Sequence, residues 1–256
     1  MEGRPQAPGN GGRGVLEGAF ALLEELSRVG EAGLTQLAAG ANLPKASAHR
    51  LLEQLVVLGA VRRQAGRYRM GSRMFQLGQS WQSSARTLRL ASRHPMRQLA
   101  SIAPGTSLGL AVPETDRAMI VCGILGEVDE VLSCGPGTLL PPGSVAEQIM
   151  SINTPQTEPP PPYSAHAWGL LLTRARDRGL AIGLDTLDIH TAAAPVHAPD
   201  GTIVAAVGAA VLDASHITAL ADPVRRAADM TSAALLQLHR RTHGTRSTRP
   251  PRPSPP

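Results

Sequence analysis

Aromatic side chains are nearly missing from this chain: two each of Phe, Trp and Tyr, 2% of 256 residues. Hydrophobic residues still make up 42%, so any core must be built mainly from Ala, Leu, Val and Ile. The only two cysteines, Cys122 and Cys134, are too few for a disulfide framework and lack metal-ligand spacing. They are expected as buried thiols of a cytoplasmic protein. No apolar run reaches membrane-spanning length; "TIVAAVGAAVL" from Thr202 is about half the roughly 20 residues required. The opening "MEGRPQAPGNGGRG" lacks the apolar core and cleavage site of a signal peptide.

Signs of catalysis or cofactor binding are equally sparse. Gly9, Gly11 and Gly14 spell G-x-G-x-x-G, but "MEGRPQAP" before them cannot be the strand a dinucleotide fingerprint needs. The 8 histidines are scattered, with no i, i+4 metal-binding pattern; His190 and His197 lie seven apart on or near strands. Ser133, Asp185 and His197 contain the residue types of a triad without a G-x-S-x-G elbow or comparable context. No catalytic residue, metal ligand or cofactor is expected, and the chain is not read as an enzyme.

What is present is an uneven distribution of charge. Residues 1–93 hold 13 Arg or Lys against 6 acids, residues 94–240 hold 8 against 14, and residues 241–256 hold 4 against none. A basic front followed by an acidic middle points to a polyanion partner for the front. The length suggests two domains.

Residues 1–14, rich in Gly and Pro, are expected to be disordered. From Val15 a helical period begins, with Val15, Ala19, Leu22 and Leu26 on one face and Leu16, Phe20 and Leu23 beside them. Gly30 and Gly33 end it. In "LTQLAAGAN" Thr35 is placed to cap a second helix, and Asn42 falls where a short turn needs a left-handed residue. Pro44 stands in the first turn of a third helix, where its missing N–H costs nothing. That helix, "PKASAHRLLEQLVVLG", clusters Ala48, Leu51, Leu52, Leu55 and Leu58 on one side. Ala46, His49, Arg50 and Glu53 lie opposite, with Lys45 at the leading edge.

"AVRRQAGRYRMG" then reads as a two-stranded hairpin, turning at Gln64-Ala65-Gly66 and carrying Arg62, Arg63, Arg67 and Arg69. Three helices, a tight turn, a basic leading edge and an Arg-rich hairpin describe a winged helix-turn-helix. In such a module the second helix of the pair presents its first residues to base edges, and the hairpin lies along phosphates. The candidate DNA-binding residues are therefore Thr35, Lys45, Ser47, His49, Arg50, Arg62, Arg63 and Arg67, with double-stranded DNA as partner.

A further helix, about 72–93, carries Met74, Leu77, Trp81, Leu88 and Leu90 and is read as a linker, Met74 and Trp81 being packing or dimer-contact residues. Strands are expected at "SLGLAV" from Ser107, "RAMIVCG" from Arg117 and "EVLSC" from Glu130, and a helix at "GSVAEQIMS" from Gly143. "NTPQTEPPPPY" is a loop. A helix from Ser164 precedes three strand candidates, "LAIGLDT", "IHTAAAPVH" and "TIVAAVGAAVL", the last two joined by an Asp-Gly turn, "APDG". A closing helix spans about 215–240. The fold class is α+β: a winged helix-turn-helix at 15–71, a linker helix at 72–93 and an antiparallel-sheet domain at 94–240. Residues 241–256, rich in Arg and Pro, are expected to be a disordered tail.

The run "LPKASAHRLLEQLVVLGAVRR…GRYRMGSRMFQLG" resembles the DNA-binding domain of the IclR family of bacterial transcriptional regulators. The family run is close to L-P-K-S-T-x-H-R-L-L, then G-x-Y-x-L-G after the wing. Pro44, Lys45, His49, Arg50, Leu51, Leu52, Gly66, Tyr68 and Gly71 carry the match, while Ala46 and Ser47 stand where Ser and Thr are usual. The resemblance spans about 15–240, strongly to Leu77 and loosely beyond. It implies a GAF/PAS-like C-terminal effector-binding domain and a homodimer or tetramer on a roughly palindromic operator. The expected function is ligand-responsive regulation, repression before activation, in the cytoplasm at the nucleoid.

The later half departs in its polar details. "RDRGLAIGLDTLDIHTAAAPVHAPDGTIVAAVGAAVL" resembles the family's R-x-R-G-Y-A-x-D … A-A-P-V … D-G-x-V-V-A-A-L-S-V-S-G. The family's Asp falls on Gly183, its Cys on Thr191, its two strand Ser on Gly208 and Ala210, and its A-x-G-K on Ser144-Val145-Ala146-Glu147. These neighbourhoods line the family's pocket, so the candidate effector-binding residues are Ser144, Val145, Asp185, Thr191, Gly208 and Ala210. Losing carboxylate, thiol and hydroxyls implies a rather apolar ligand, since specificity rests on a few placed polar atoms. The alternative is a domain that has lost its ligand and serves oligomerisation or protein contact.

Overall fold

A backbone that must satisfy its own polar groups, and leucines that recur every third or fourth position, together decide where the N-terminal helices start and what they bury. The structure, a computed structural model, describes residues 14–115, 117–132, 134–154, 158–184 and 188–244, without the side chains of 79–84 and 242–244. Asp116, Ser133, Asp185 and both termini therefore lie outside the described residues. The chain divides into two units, 1–83 and 84–256.

In the first unit, α1 (Val15–Val29) begins as Glu17 accepts the Gly14 N–H at 3.1 Å. It buries Leu22, Leu23 and Leu26, but Val15, Leu16 and Phe20, expected on or beside the core face, are exposed. The period is correct; only the turns from Gly18 to Leu26 are covered. Gly18 lets α1 approach its neighbour, since a Cβ there would lie 3.0 Å from Leu51 Cδ1.

A short strand, β1 (Glu31–Gly33), follows, and then α2 (Leu34–Gly40). Thr35 is not the cap. Gly33 already holds the extended cap conformation as the last residue of β1, so the helix starts one residue before Thr35. Asn42 turns the chain at φ 51°, as its side chain tolerates, and Pro44 caps α3 (Lys45–Val57) rather than entering it. Ala48, Leu51, Leu52 and Leu55 are buried. Leu58, expected on that face, ends the helix and is exposed, because the chain leaves the helical path at Gly59, φ 74°.

β2 (Val61–Gln64) and β3 (Arg67–Met70) form the hairpin; Ala65 and Gly66 both have positive φ, the turn that matches strand twist. Two strands were expected and three are found, in the order β1-β3-β2, with Ala32 opposite Tyr68.

α4 (Ser72–Ile102) continues past Arg93 through Pro95, whose lost backbone bond is tolerated where Ala91, Met96 and Leu99 are buried. In the second unit, β4 (Ser107–Glu114) and β5 (Arg117–Ile124) appear as expected. The strand expected at "EVLSC" is not found among the described residues. Val128–Val131 make a short helix, α5, because Asp129 accepts the Gly126 N–H at 2.8 Å and starts a turn there. α6 (Val145–Ser151) and α7 (Ala165–Arg178) are each capped by a serine, Ser144 and Ser164, and α7 ends at left-handed Gly179. β6 (Ala181–Leu184), β7 (His190–His197), β8 (Ile203–Val211) and α8 (Ala214–Gly244) complete the chain. α8 therefore runs four residues into the segment expected as tail.

The five strands pair antiparallel in the order β5-β4-β8-β7-β6. Side chains alternate across a strand, and here the two faces differ in size. One face carries Leu108, Leu110, Val112, Val196, Val207 and Val211 against Ile217, Leu220 and Val224 of α8. The other carries Gly109, Ala111, Ala193, Ala206, Gly208 and Ala210, with α6 and α7 beyond it. The cysteines, expected buried, form no disulfide and are half-buried, Cys122 beside Ser92 and Cys134 in a loop.

Candidate nucleic-acid interface and effector cavity

On α3 the residues without a buried role are those expected to face DNA. Lys45, His49 and Arg50 are exposed and Ser47 is half-buried, while the opposite side closes the core. Lys45 is the chain's single lysine. Among the described residues neither the Lys45 nor the Arg50 side chain has a hydrogen-bond or ion-pair partner, so both charges are available. Thr35 is exposed in the first turn of α2.

The wing is more constrained. Arg63 donates to Glu53 Oε1 at 3.0 Å, with its guanidinium 5.5 Å from the centroid of the Tyr68 ring. His49 Nε2 is 3.8 Å from the same Glu53 oxygen. Arg67 donates to Glu31 Oε1 at 2.8 Å and to the Glu31 carbonyl at 3.1 Å. Arg62 faces Arg69 across the hairpin, and its contact to Ser72 is long, 3.5 Å. Like charges directly opposite on a strand pair are unfavourable. Their placement puts two cations side by side on one face of the sheet, where Arg69 has Glu31 opposite it on β1 and donates to Gln64 Oε1. Arg69 was read as a wing residue but not counted among the candidates, and Arg73 was not named; Arg73 donates to the Leu58 carbonyl at 3.2 Å, joining the helix after the wing to the end of α3.

In the second unit the small-residue face of the sheet borders a cavity of about 240 Å³. It exists because Gly and Ala occupy positions where the other face has Leu and Val. Leu125, Val128, Leu132, Leu140 and Val145 close it from the opposite side. Of the nominated residues, Val145, Thr191, Gly208 and Ala210 line it. Ser144 does not: its hydroxyl caps α6 by accepting from Glu147 N at 3.4 Å. Asp185 lies outside the described residues. Gly183 is beside the wall, where a Cβ would stand 2.9 Å from Val145 Cγ1.

Two polar residues that sequence reasoning missed also line the cavity, Ser107 on β4 and Asp129 on α5. Thr191 Oγ1 donates to the Gly183 carbonyl at 3.3 Å. Among the described residues no Lys, Arg or His borders the cavity, and no cluster of His, Cys, Asp and Glu could hold a metal. No helix among them is long and apolar enough to cross a membrane.

The fold and the α3 surface define a class: a winged helix-turn-helix followed by an α+β domain with an antiparallel sheet. More closely, residues 15–65 match the family described as the IclR helix-turn-helix domain. No curated protein matches the chain. Among solved structures, an IclR homologue from Microbacterium hydrocarbonoxydans, in complex with 4-hydroxybenzoate, is 19% identical with a TM-score of 0.70, covering 87% of this chain and 99% of its own. IclR of Thermotoga maritima is 17% identical with a TM-score of 0.64, over 86% of this chain and 98% of its own. A regulator of this family from Alicyclobacillus acidocaldarius, 17% identical, covers 90% and 100% with a TM-score of 0.61. The architecture is that of the IclR regulators, and the N-terminal unit carries their helix-turn-helix.

Proposed function

We propose that the protein is a transcriptional regulator that binds a roughly palindromic operator as a homodimer or tetramer and leaves it when a small, rather apolar molecule enters the C-terminal cavity. The observation that carries the DNA-binding part is the pair of unengaged cations, Lys45 and Arg50, on the exposed side of a helix whose other side is core. Lys45, Ser47, His49 and Arg50 read the groove; Arg62, Arg63 and Arg67 lie along phosphates, and Thr35 supports the backbone contact from α2. The cavity bordered by Val145, Thr191, Gly208 and Ala210 supports the ligand-responsive part.

Hydroxyl-radical footprinting on genomic fragments selected by the full chain tests this reading. Two protected half-sites about one helical turn apart, 34–36 Å between centres, are expected of a dimer. Protection of arbitrary sequence along the whole fragment would contradict it.

A further inference from the structure

Resting on the reading of the cavity as the effector site, we propose that its ligand is a neutral molecule of about one substituted ring whose oxygen hydrogen-bonds to Ser107.

The size follows from the space. An engineered cavity of about 150 Å³ holds benzene. The cavity here, about 240 Å³, adds room for a short substituent.

The charge follows from the walls. An ion taken from water needs a partner of opposite sign or a set of hydrogen bonds. A carboxylate would find no cation among the described lining residues, and it would meet Asp129. An ammonium ion would have Asp129 as its one counter-charge, already accepting from Gly126 N at 2.8 Å, amid apolar walls. Neutral ligands escape both costs.

The position of the polar end follows from one side chain. Ser107 is only 6% exposed and its Oγ has no hydrogen-bond partner. It lies opposite Ala210, on the row of positions that faces the cavity. Thr191, on the other side of Ala210, already donates its proton. A buried hydroxyl without a partner is costly, and a ligand carbonyl or hydroxyl oxygen at Ser107 removes that cost.

Isothermal titration of the full chain with a matched set, acetophenone, benzyl alcohol, toluene, benzoate and benzylamine, tests the assignment without DNA. Acetophenone or benzyl alcohol is expected to bind best, with benzoate and benzylamine at least about tenfold weaker. Ser107→Ala is expected to bring the ketone and the alcohol down to the level of toluene and leave toluene unchanged. Asp129→Asn, which keeps an oxygen for the Gly126 N–H, is expected to let benzoate gain. Tight binding of benzoate or benzylamine, indifference of the ketone to Ser107→Ala, or binding of none of the five would overturn the proposal. Because the readout is ligand binding alone, such a failure leaves the DNA-binding reading standing; loss of operator recognition would leave this one standing.

Discussion

Arg63 of β2 and Glu53 of α3 form an ion pair, Nη1 to Oε1 at 3.0 Å, that ties the wing to the polar side of the helix expected to enter DNA. Both groups are nearly half exposed, so the pair adds little stability, about 0.2–1 kcal/mol at most. Its consequence is electrostatic. Glu53 is the acid on a face of cations, and it holds Arg63 and neighbours His49.

Glu53→Gln is therefore expected to tighten binding to duplex of any sequence, most at low salt, while the melting temperature hardly moves. Fluorescence anisotropy over a salt series reads the effect; counterion release makes the affinity fall with salt, and the variant's slope should steepen as Arg63 is freed for phosphate.

Arg50 and Arg62 should separate by their targets. Arg50→Ala is expected to cost about 1–3 kcal/mol on the preferred site and much less on random duplex, as a base-reading residue does. Arg62→Ala should weaken all sequences alike and reduce the salt slope by about one. Competition titrations against specific and random DNA distinguish the two patterns.

Two glycines a few residues apart should move stability in opposite directions. A Cβ on Gly71 would lie 2.1 Å from the Gly59 carbonyl oxygen, and Gly71 donates its N–H to the Ala60 carbonyl at 2.7 Å. Gly71→Ala must shift backbone, at a cost of about 1–3 kcal/mol. Gly78 lies inside α4 with nothing within 4 Å of a Cβ, so Gly78→Ala should stabilise by roughly 0.5–1 kcal/mol. Thermal unfolding of the two variants checks the sign.

Asp213 gives a pH dependence. Its Oδ1 accepts the Ser215 N–H at 2.8 Å at the start of α8, and hydrogen bonds from Ser215 hold its carboxyl below the usual carboxylate range. A depressed folded value means the stabilisation is present above the unfolded pKa, about 3.9, and is lost as pH falls through the folded one. Asp213→Ala should lower the melting temperature of the second unit at neutral pH, and the difference from the parent should shrink below about pH 4.

How far the sequence shows these features depends on how local their causes are. α3 and the β7–β8 hairpin were legible because a helical or alternating period is carried in consecutive residues, and "APDG" marks its own turn. β1 was not. "EAG" has no pattern of its own and becomes a strand only by pairing with Arg67–Arg69, more than thirty residues on. "EVLSC" has the composition of a strand, but its first two residues belong to the short helix that the hydrogen bond from Gly126 to Asp129 opens.

The cavity lay between these cases. Thr191, Gly208 and Ala210 were found through the family resemblance, whereas Ser107, Gly109 and Ala193 were not. A signal was nevertheless present: in "SLGLAV", "TAAAPV" and "AAVGAA" every second residue is small. Only the register, which sets Gly109 and Ala193 on either side of Gly208, turns three such rows into a shared hollow.

The central claim is that the exposed side of α3 recognises a particular DNA sequence. It is tested most directly by titrating the full chain, at physiological salt, against its best selected fragment and a shuffled duplex of equal length and composition. The account predicts a preference of at least about a thousandfold for the selected fragment, in the range of specific DNA-binding proteins. Equal affinity for the two duplexes would contradict it.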